Sequence, residues 1–227
     1  MTWLTNPFAD RNLVIYPAHV SNYYSQRVCR PIAFVLHEPQ EPADNYESTP
    51  VYFSQPDRQA STRFYGDNDG DIFQLVPLEF PAIANGLDGK PMPRFNDGGP
   101  EFGAYSINDQ TDNIEVEGLT ASIAQTFSQA QYAGLKDWLK LMYIMWDVPR
   151  TPQRVLSHAQ LSTQRTDGEW LRTKSGVVQE AINEVLKIEK DIKDLKTFAW
   201  TAASKNNDQD KLLWGQQVQI NALKEGK

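Results

Sequence analysis

The chain has 227 residues, enough to bury a full hydrophobic core, and it carries 29 acidic against 22 basic side chains. The net charge of -7 and the pI near 5.0 argue against a nucleic-acid partner, because phosphate binding requires a basic surface. The single cysteine, Cys29, excludes both an intramolecular disulfide and a cluster of thiolate metal ligands.

Residues 1–11 show no apolar segment behind a basic start, which predicts that the chain carries no secretory signal peptide. No run approaches the ~18 apolar residues that a membrane span requires. We therefore expect a protein without a membrane span, which is cytoplasmic or reaches its target through a separate export system.

The first third of the chain predicts two strands followed by a long loop. Residues 13–16 indicate a short strand, and the continuous apolar run 32–37 predicts a strand buried on both faces of a sheet. His37 stands at the end of that strand. Residues 38–57 are rich in Pro, Glu, Asp, Ser and Asn, which predicts a surface loop.

The middle of the chain predicts a β-hairpin, a second loop and a strand. The runs 61–65 and 71–77 flank an Asp-Asn-Asp-Gly turn, and Asn and Gly tolerate the positive φ of tight hairpin turns. Residues 85–111 are rich in Gly and Pro and predict another long loop. Residues 113–118 alternate apolar and acidic side chains, as a half-buried strand does.

The next segment predicts a helix and a returning strand. Ser128 is a suitable N-cap for a helix whose apolar residues recur on one stripe as far as Trp146. Residues 154–158 then indicate a short strand that ends in His158. Strands alternating with a helix favour an α/β domain that ends near residue 172.

Residues 173–227 predict a helical C-terminal extension. An apolar helical stripe runs from Val178 to Leu195, and a second helix is expected at 208–223 after the breaker at 204–207. The extension could pack on the domain as a helical hairpin, bind a partner, or mediate self-association.

Two histidines and one aspartate form a candidate metal site. His37 and His158 each close an apolar run, and Asp167 follows in a Thr-Asp-Gly segment. Histidine and carboxylate ligands from separate segments suit a catalytic zinc whose fourth position is left to water. The residues alone leave a structural role for both histidines open.

The order of these segments resembles the zinc-dependent N-acetylmuramoyl-L-alanine amidases of the type 2 family, related to peptidoglycan recognition proteins. The resemblance covers about residues 30–172 in collinear order. The matching segments are the strand ending at His37, the Asp-Gly-x-Ile-x-Gln-x-Val-Pro hairpin at 69–77, the Ile-Glu-Val-Glu-Gly strand at 114–118, the Ser-x-x-Gln-Tyr helix start at 128–132, Ser-His at 157–158 and Arg-Thr-Asp-Gly at 165–168.

The resemblance implies a central mixed β-sheet flanked by helices, and it assigns roles to five residues. The zinc ligands would be His37, His158 and Asp167. The catalytic glutamate would be Glu115 and the cation that stabilises the oxyanion would be Arg165. Glu117 is the less favoured alternative to Glu115, and we expect it to be solvated or structural.

The implied activity is hydrolysis of the amide bond between N-acetylmuramic acid and L-alanine in peptidoglycan or muropeptides. Without a signal peptide, the protein would be a phage-type lysin released by a partner or an intracellular wall-recycling enzyme. The alternatives are a peptidoglycan-binding protein of the same fold and a structural protein whose working part is the helical tail.

The chain differs from the family at Arg63, where histidine is common, at 82–86, which has no histidine, and at Arg165, where lysine is usual.

Overall fold

The computed structural model describes residues 1–38, 48–85, 99–118, 123–162 and 165–204. The chain divides into two compact units, Met1–Ala181 and Ile182–Lys227. Parts of the two predicted loops, 39–47 and 86–98, and the predicted helix at 208–223 lie outside the described residues.

Six strands of the first unit form one mixed sheet with the order β1-β4-β3-β5-β2-β6. β3 and β4 pair antiparallel as a hairpin, whereas the other neighbouring strands in this order pair parallel. The strands are β1 Leu13–Ile15, β2 Ala33–His37, β3 Phe64–Gly66, β4 Ile72–Gln74, β5 Thr111–Val116 and β6 Val155–Ser157. The mixed sheet and its hairpin confirm the predicted fold class.

Helices flank this sheet, and one long helix reaches into the second unit. They are α1 Ser48–Ser54, α2 Ile107–Gln110, α3 Ile123–Thr126, α4 Gln129–Trp146, α5 His158–Leu161, α6 Glu169–Thr173 and α7 Val177–Ser204. Short 3₁₀ helices cover Val20–Asn22 and Pro152–Arg154. α7 confirms the first helix of the predicted extension. Among the described residues, no helix combines the length and the apolar character that crossing a membrane would demand.

The strand β2 is buried on both faces because helices pack on each side of it. Phe34 contacts the rings of Trp138 and Tyr143 on α4, at centroid distances of 6.0 and 5.0 Å. On the opposite face, Val35 belongs to an apolar cluster with Ile107 of α2 and with residues of β6 and α5. Such two-sided burial explains why the strand has an unbroken apolar sequence.

The helix α4 begins where its cap residues predict. The Ser128 hydroxyl accepts the backbone N–H of Gln131, and the Gln131 side chain accepts the backbone N–H of Ser128. This reciprocal capping box satisfies two donors that a helix N-terminus otherwise leaves unpaired. Asp147 ends the helix in the left-handed conformation.

Three predicted segments are wrong in detail. The segment 85–111 was expected to be a loop, yet it contains the helix α2 and ends in the first residue of β5. The polar segment 38–57 was expected to be loop throughout, yet it contains the helix α1, whose Phe53 packs in a cluster with Leu75 and Val76. The expected strand 154–158 is shorter, because Arg154 lies in a 3₁₀ helix and His158 begins α5. Contacts with distant parts of the chain hold α1 in place, whereas neighbouring residues, Pro152 in the 3₁₀ helix and the Ser157 cap of α5, set the ends of β6.

A fully buried ion pair connects the hairpin to the rest of the domain. The Arg63 guanidinium has no exposed area, pairs with Asp112 of β5, and also donates to the carbonyls of Pro77 and Phe80. The indole N–H of Trp146 donates to the second Asp112 oxygen at 2.7 Å. Arg63 is therefore a structural residue here, and its difference from the family pattern does not alter a surface that substrate could contact.

The hairpin turn touches α4 through two glycine backbones. A Cβ at Gly134 would lie 2.5 Å from the Gly70 carbonyl oxygen, and a Cβ at Gly70 would lie 2.3 Å from the Ala130 carbonyl oxygen. Gly70 also has a φ of +81°, which favours glycine. Neither position leaves room for a side chain.

We expect Gly134→Ala to lower the free energy of unfolding by about 1–3 kcal/mol, because the turn must move away from the helix. Helix propensity alone would favour alanine by about 0.5–1 kcal/mol, so the two effects have opposite signs. The measurement is denaturant unfolding. Gly66→Ala is the control, since its Cβ would make contacts of 3.5 Å or more. A Gly134→Ala protein as stable as the wild type would contradict the close contact.

Candidate metal centre

Two neighbouring parallel strands bring His37 and His158 together. His37 is the last residue of β2, and His158 directly follows Ser157, the last residue of β6. Leu36 pairs with Ser157 in the register of these strands, so the histidines that follow them meet at one edge of the sheet. The carboxyl ends of parallel strands are a common place for a binding site.

The Asp167 carboxylate completes a compact group of three donor atoms. The Nδ1 atoms of His37 and His158 are 3.0 Å apart. The Asp167 Oδ2 atom lies 3.1 Å from the His158 Nδ1 and 3.6 Å from the His37 Nδ1. All three side chains are buried. The structure thus brings together the three residues that the sequence singled out as candidate ligands.

The spacing of these donors fits a tetrahedral zinc ion. Zinc bonds of about 2.0–2.1 Å to nitrogen and oxygen place tetrahedral ligands about 3.3 Å apart. The three measured separations, 3.0, 3.1 and 3.6 Å, bracket that value. Two imidazoles and one carboxylate leave the fourth position for water or substrate, as catalytic zinc sites do.

The protonation states of the group also suit metal binding. Burial lowers the pKa of His37 to about 4, so its imidazole is neutral at pH 7 and keeps a lone pair for a metal. Burial by itself would raise the pKa of Asp167, but the adjacent imidazoles of His158 and His37 outweigh it and hold the pKa well below its usual range. His37 therefore presents a neutral nitrogen and Asp167 an anionic oxygen.

Gly168 allows Asp167 to approach the end of β2. Its φ of +80° lies in the left-handed region, and a Cβ there would stand 2.0 Å from the carbonyl oxygen of Leu36. The backbone N–H of Ala159 donates to the Asp167 carbonyl at 3.2 Å, which ties the same turn to α5. The sequence contains the Asp-Gly pair, but only the structure shows why glycine is needed.

Ser157 orients the histidine that follows it. Its hydroxyl accepts the backbone N–H of Gln160 at 3.2 Å and donates to Glu169 at 2.7 Å. Glu169 in turn pairs with Arg172 on α6. Sequence reasoning missed this role, although Ser-x-x-Gln at 157–160 is the signature of a capping box.

Glu115 lies beside His37 at the same edge of the sheet. The two residues are partners in the parallel register of β2 and β5, so their side chains leave the same face of the sheet. Neighbouring strands lie about 4.8 Å apart. Glu115 is half-buried. Glu117 is buried instead, and its carboxylate accepts the backbone and side-chain N–H groups of Asn68 at 2.9 and 3.0 Å. The structure thus gives Glu117 a structural position.

Arg165 is exposed two residues before Asp167. Its backbone N–H donates to the Ser162 carbonyl at 3.1 Å. Its positive charge is near enough to contribute to the lowered pKa of His37. The structure therefore places a cation at the rim of the group.

Several solved structures share this fold at low sequence identity. A mutant endolysin from Bacillus subtilis is 16% identical with a TM-score of 0.55, and the match covers 76% of this chain and 99% of that chain. A selenomethionine AmpD derivative is 17% identical with a TM-score of 0.56, covering 79% and 99%. The Staphylococcus aureus hydrolase AmiA, solved with its ligand, is 15% identical with a TM-score of 0.55, covering 81% and 87%. No curated protein shows significant similarity in sequence.

The fold and the site define a mixed α/β protein with a buried His, His and Asp group at the carboxyl edge of its sheet. The family model of N-acetylmuramoyl-L-alanine amidase matches residues 29–169. The chain belongs to that family, as the resemblance of its motifs implied.

We expect Gly168→Ala to weaken zinc affinity roughly 10–100-fold, the usual range for residues that orient metal ligands. The added Cβ must displace either Asp167 or the Leu36 carbonyl next to His37. Competition with a chromophoric chelator measures the affinity. Gly176→Ala is the matched control, because Gly176 also has a φ of +80° but its nearest neighbour, the Tyr132 hydroxyl, is 4.0 Å away. Equal affinities of the two variants would show that the close approach of Gly168 to Leu36 does not position the metal ligands.

Proposed function

We propose that the protein is a zinc-dependent hydrolase of the amide bond between N-acetylmuramic acid and L-alanine in peptidoglycan or muropeptides. The observation that carries the proposal is the convergence of the His37, His158 and Asp167 donor atoms to within 3.0–3.6 Å of one another. Membership of the amidase family supports the reaction type. The spacing and chemistry of the three donors support zinc as the metal.

The reaction needs an activated water and a polarised amide carbonyl. A zinc ion held by His37, His158 and Asp167 would supply both near neutral pH, because it lowers the pKa of water toward about 7 and acts as a Lewis acid. The buried surroundings of the three ligands limit solvent access to their donor atoms. Attack of water on the carbonyl then generates negative charge on the carbonyl oxygen.

Glu115 would act as general base and then as general acid. Its position next to His37, one strand away, suits a carboxylate that takes the proton of the attacking water and passes it to the leaving nitrogen of L-alanine. Arg165 would stabilise the negative charge that develops on the carbonyl oxygen. A guanidinium keeps its proton, so Arg165 serves as a fixed positive charge.

The proposed domain division is an amidase domain at 1–172 and a helical extension at 173–227. The family match ends at residue 169, which supports a catalytic role for the first part. A phage-type lysin released by a partner export system is the proposed setting, and the endolysin fold likeness accords with it. The extension would then target the enzyme to the wall or mediate self-association.

We expect the purified protein to bind about one zinc per chain and to release new L-alanine amino groups from purified peptidoglycan. A chelator should remove the metal and the activity together. His158→Ala should lose both as well, because it removes one of three protein ligands. Elemental analysis and an amino-group assay provide the two measurements.

The outcomes of this experiment separate the alternatives. Zinc without release of amino groups would favour the peptidoglycan-binding protein of the same fold. A His158→Ala protein that kept stoichiometric zinc and wild-type cleavage would place the site elsewhere, and a protein without zinc would overturn the ligand set.

We expect Glu115→Gln to retain zinc and to lose activity by about 10²–10⁴-fold, the usual contribution of a general acid-base. Glutamine preserves the shape of the side chain but cannot accept the water proton. The matched variant is Glu117→Gln, whose amide oxygen can still accept one of the two Asn68 N–H groups, and it should stay within a few-fold of wild type. If Glu117→Gln lost more activity than Glu115→Gln, the assignment of the general base would be reversed.

A further inference from the structure

Glu169 links the two chain segments that carry His158 and Asp167. His158 begins α5, directly after the cap residue Ser157, and Asp167 lies in the turn that precedes α6. The Ser157 hydroxyl donates to the carboxylate of Glu169, the first residue of α6, at 2.7 Å. A side chain of α6 therefore holds the residue from which α5 starts.

The Ser157 hydroxyl takes part in two hydrogen bonds at once. Ser157 has no exposed area, and while its hydroxyl donates to Glu169 it also accepts the backbone N–H of Gln160 at 3.2 Å. The Gln160 side chain in turn accepts the backbone N–H of Ser157 at 3.1 Å. These bonds fix the direction in which the chain turns from β6 into α5, and thus the direction of His158.

Both oxygens of the Glu169 carboxylate are held on α6 by Arg172. Its Nε atom donates to Oε2 at 3.2 Å, and its Nη2 atom donates to Oε1 at 3.0 Å. Two hydrogen bonds of this kind fix the orientation of a carboxylate as well as its position. The helix is itself anchored, because Leu171 is fully buried. The carboxylate that reaches Ser157 is thus restrained on α6.

The main chain provides a second connection between the same two segments. The backbone N–H of Ala159 donates to the carbonyl of Asp167 at 3.2 Å. The residues on either side of His158 are therefore both bonded to the segment 167–169. Between these two connections, the His158 Nδ1 and Asp167 Oδ2 atoms lie 3.1 Å apart.

We propose that Glu169 is a positioning residue, which clamps the start of α5 to the Asp167 turn and thereby sets the separation of the His158 and Asp167 donor atoms. It acts through the Ser157 hydroxyl. Metal ligands must be held to within about 0.5 Å of their working geometry, and side chains behind them supply that support. The consequence for zinc rests on the proposed function, whereas the clamp is a property of the chain itself.

Glu180 offers a matched control for Glu169. Its side chain is 46% exposed, against 42% for Glu169. It also pairs with one cation and one hydroxyl, those of Lys136 and Tyr132, and both of these residues lie on α4. Removing either carboxylate breaks contacts of the same kind. A difference between the two variants therefore reports the location of Glu169 and not the general loss of an ion pair.

The clamp can be measured in the metal-free full chain through the exchange of the Ala159 amide hydrogen, followed by NMR. This amide forms the main-chain bond between the two segments. We expect Glu169→Ala to speed its exchange about tenfold, the factor that corresponds to one hydrogen bond with a charged group. Glu180→Ala should exchange at the wild-type rate.

The consequence for the metal centre is measured as zinc affinity, by competition with a chromophoric chelator. We expect Glu169→Ala to weaken zinc binding about 10–100-fold, the usual effect of losing a residue that orients metal ligands. Glu180→Ala should bind zinc as the wild type does. Glu169→Asp keeps the charge but is one methylene too short for the Ser157 hydroxyl, so it should resemble Glu169→Ala. Glu169→Gln keeps the length and an acceptor oxygen, so it should stay closer to wild type.

A double-mutant cycle tests whether Glu169 acts through Ser157. Ser157→Ala removes the hydroxyl that receives the clamp. In that background, Glu169→Ala should cause no further loss of zinc affinity, because the two changes interrupt the same link. A role of Glu169 that is confined to the stability of α6 would instead give the same loss in both backgrounds.

Four results would overturn the proposal. They are an unchanged rate of Ala159 exchange in Glu169→Ala, equal zinc affinities of Glu169→Ala and Glu180→Ala, wild-type affinity of Glu169→Asp, and an undiminished effect of Glu169→Ala in the Ser157→Ala background. A wild-type chain that bound no zinc would overturn the proposed metal centre, and amide exchange would still decide whether the clamp exists. Failure of one proposal can therefore be distinguished from failure of the other.

Discussion

Parallel pairing of β2 with β5 and β6 is the constraint on which the site depends. It carries His37, Glu115 and His158 to one edge of the sheet, although 121 residues separate the two histidines in the chain. Side chains alternate between faces along a strand, so a shift of the register by one residue would point His37 away from its partners. Helices on both faces bury β2 and thereby hold that register. The core thus determines the geometry of the donor atoms.

Two close backbone contacts join the turn that carries Asp167 and the helix α4 to this sheet. Gly168 passes the Leu36 carbonyl and carries Asp167 to the histidines, while Gly70 and Gly134 let the hairpin turn lie directly on α4. In each case the missing Cβ is what allows two main-chain segments to touch. These contacts are rigid, because moving either segment would disturb a strand or a helix that is packed elsewhere. Precise positioning of ligand atoms requires such rigid support.

Buried charge is handled differently at the two ends of the sheet. At the carboxyl end, neutral imidazole and an ionised carboxylate form a group suited to a cation. At the other end, Arg63 and Asp112 form a buried ion pair supported by hydrogen bonds, and Arg27 lies beside it, 3.7 Å from Asp112 and over the ring of Trp146. Removing one member of a buried ion pair is costly because the other is left unpaired.

The sequence by itself determined the features that depend on neighbouring residues and on family motifs. The apolar run of β2, the hairpin turn, the capped start of α4 and the candidate ligands His37, His158 and Asp167 were all predictable, because periodicity, turn residues and caps act locally. Only the tertiary structure decided that α1 is helical within a polar segment, that Glu117 and Arg63 are buried, and that Gly168 must lack a side chain. These outcomes depend on contacts between segments far apart in the chain, and a local sequence pattern carries no record of such contacts.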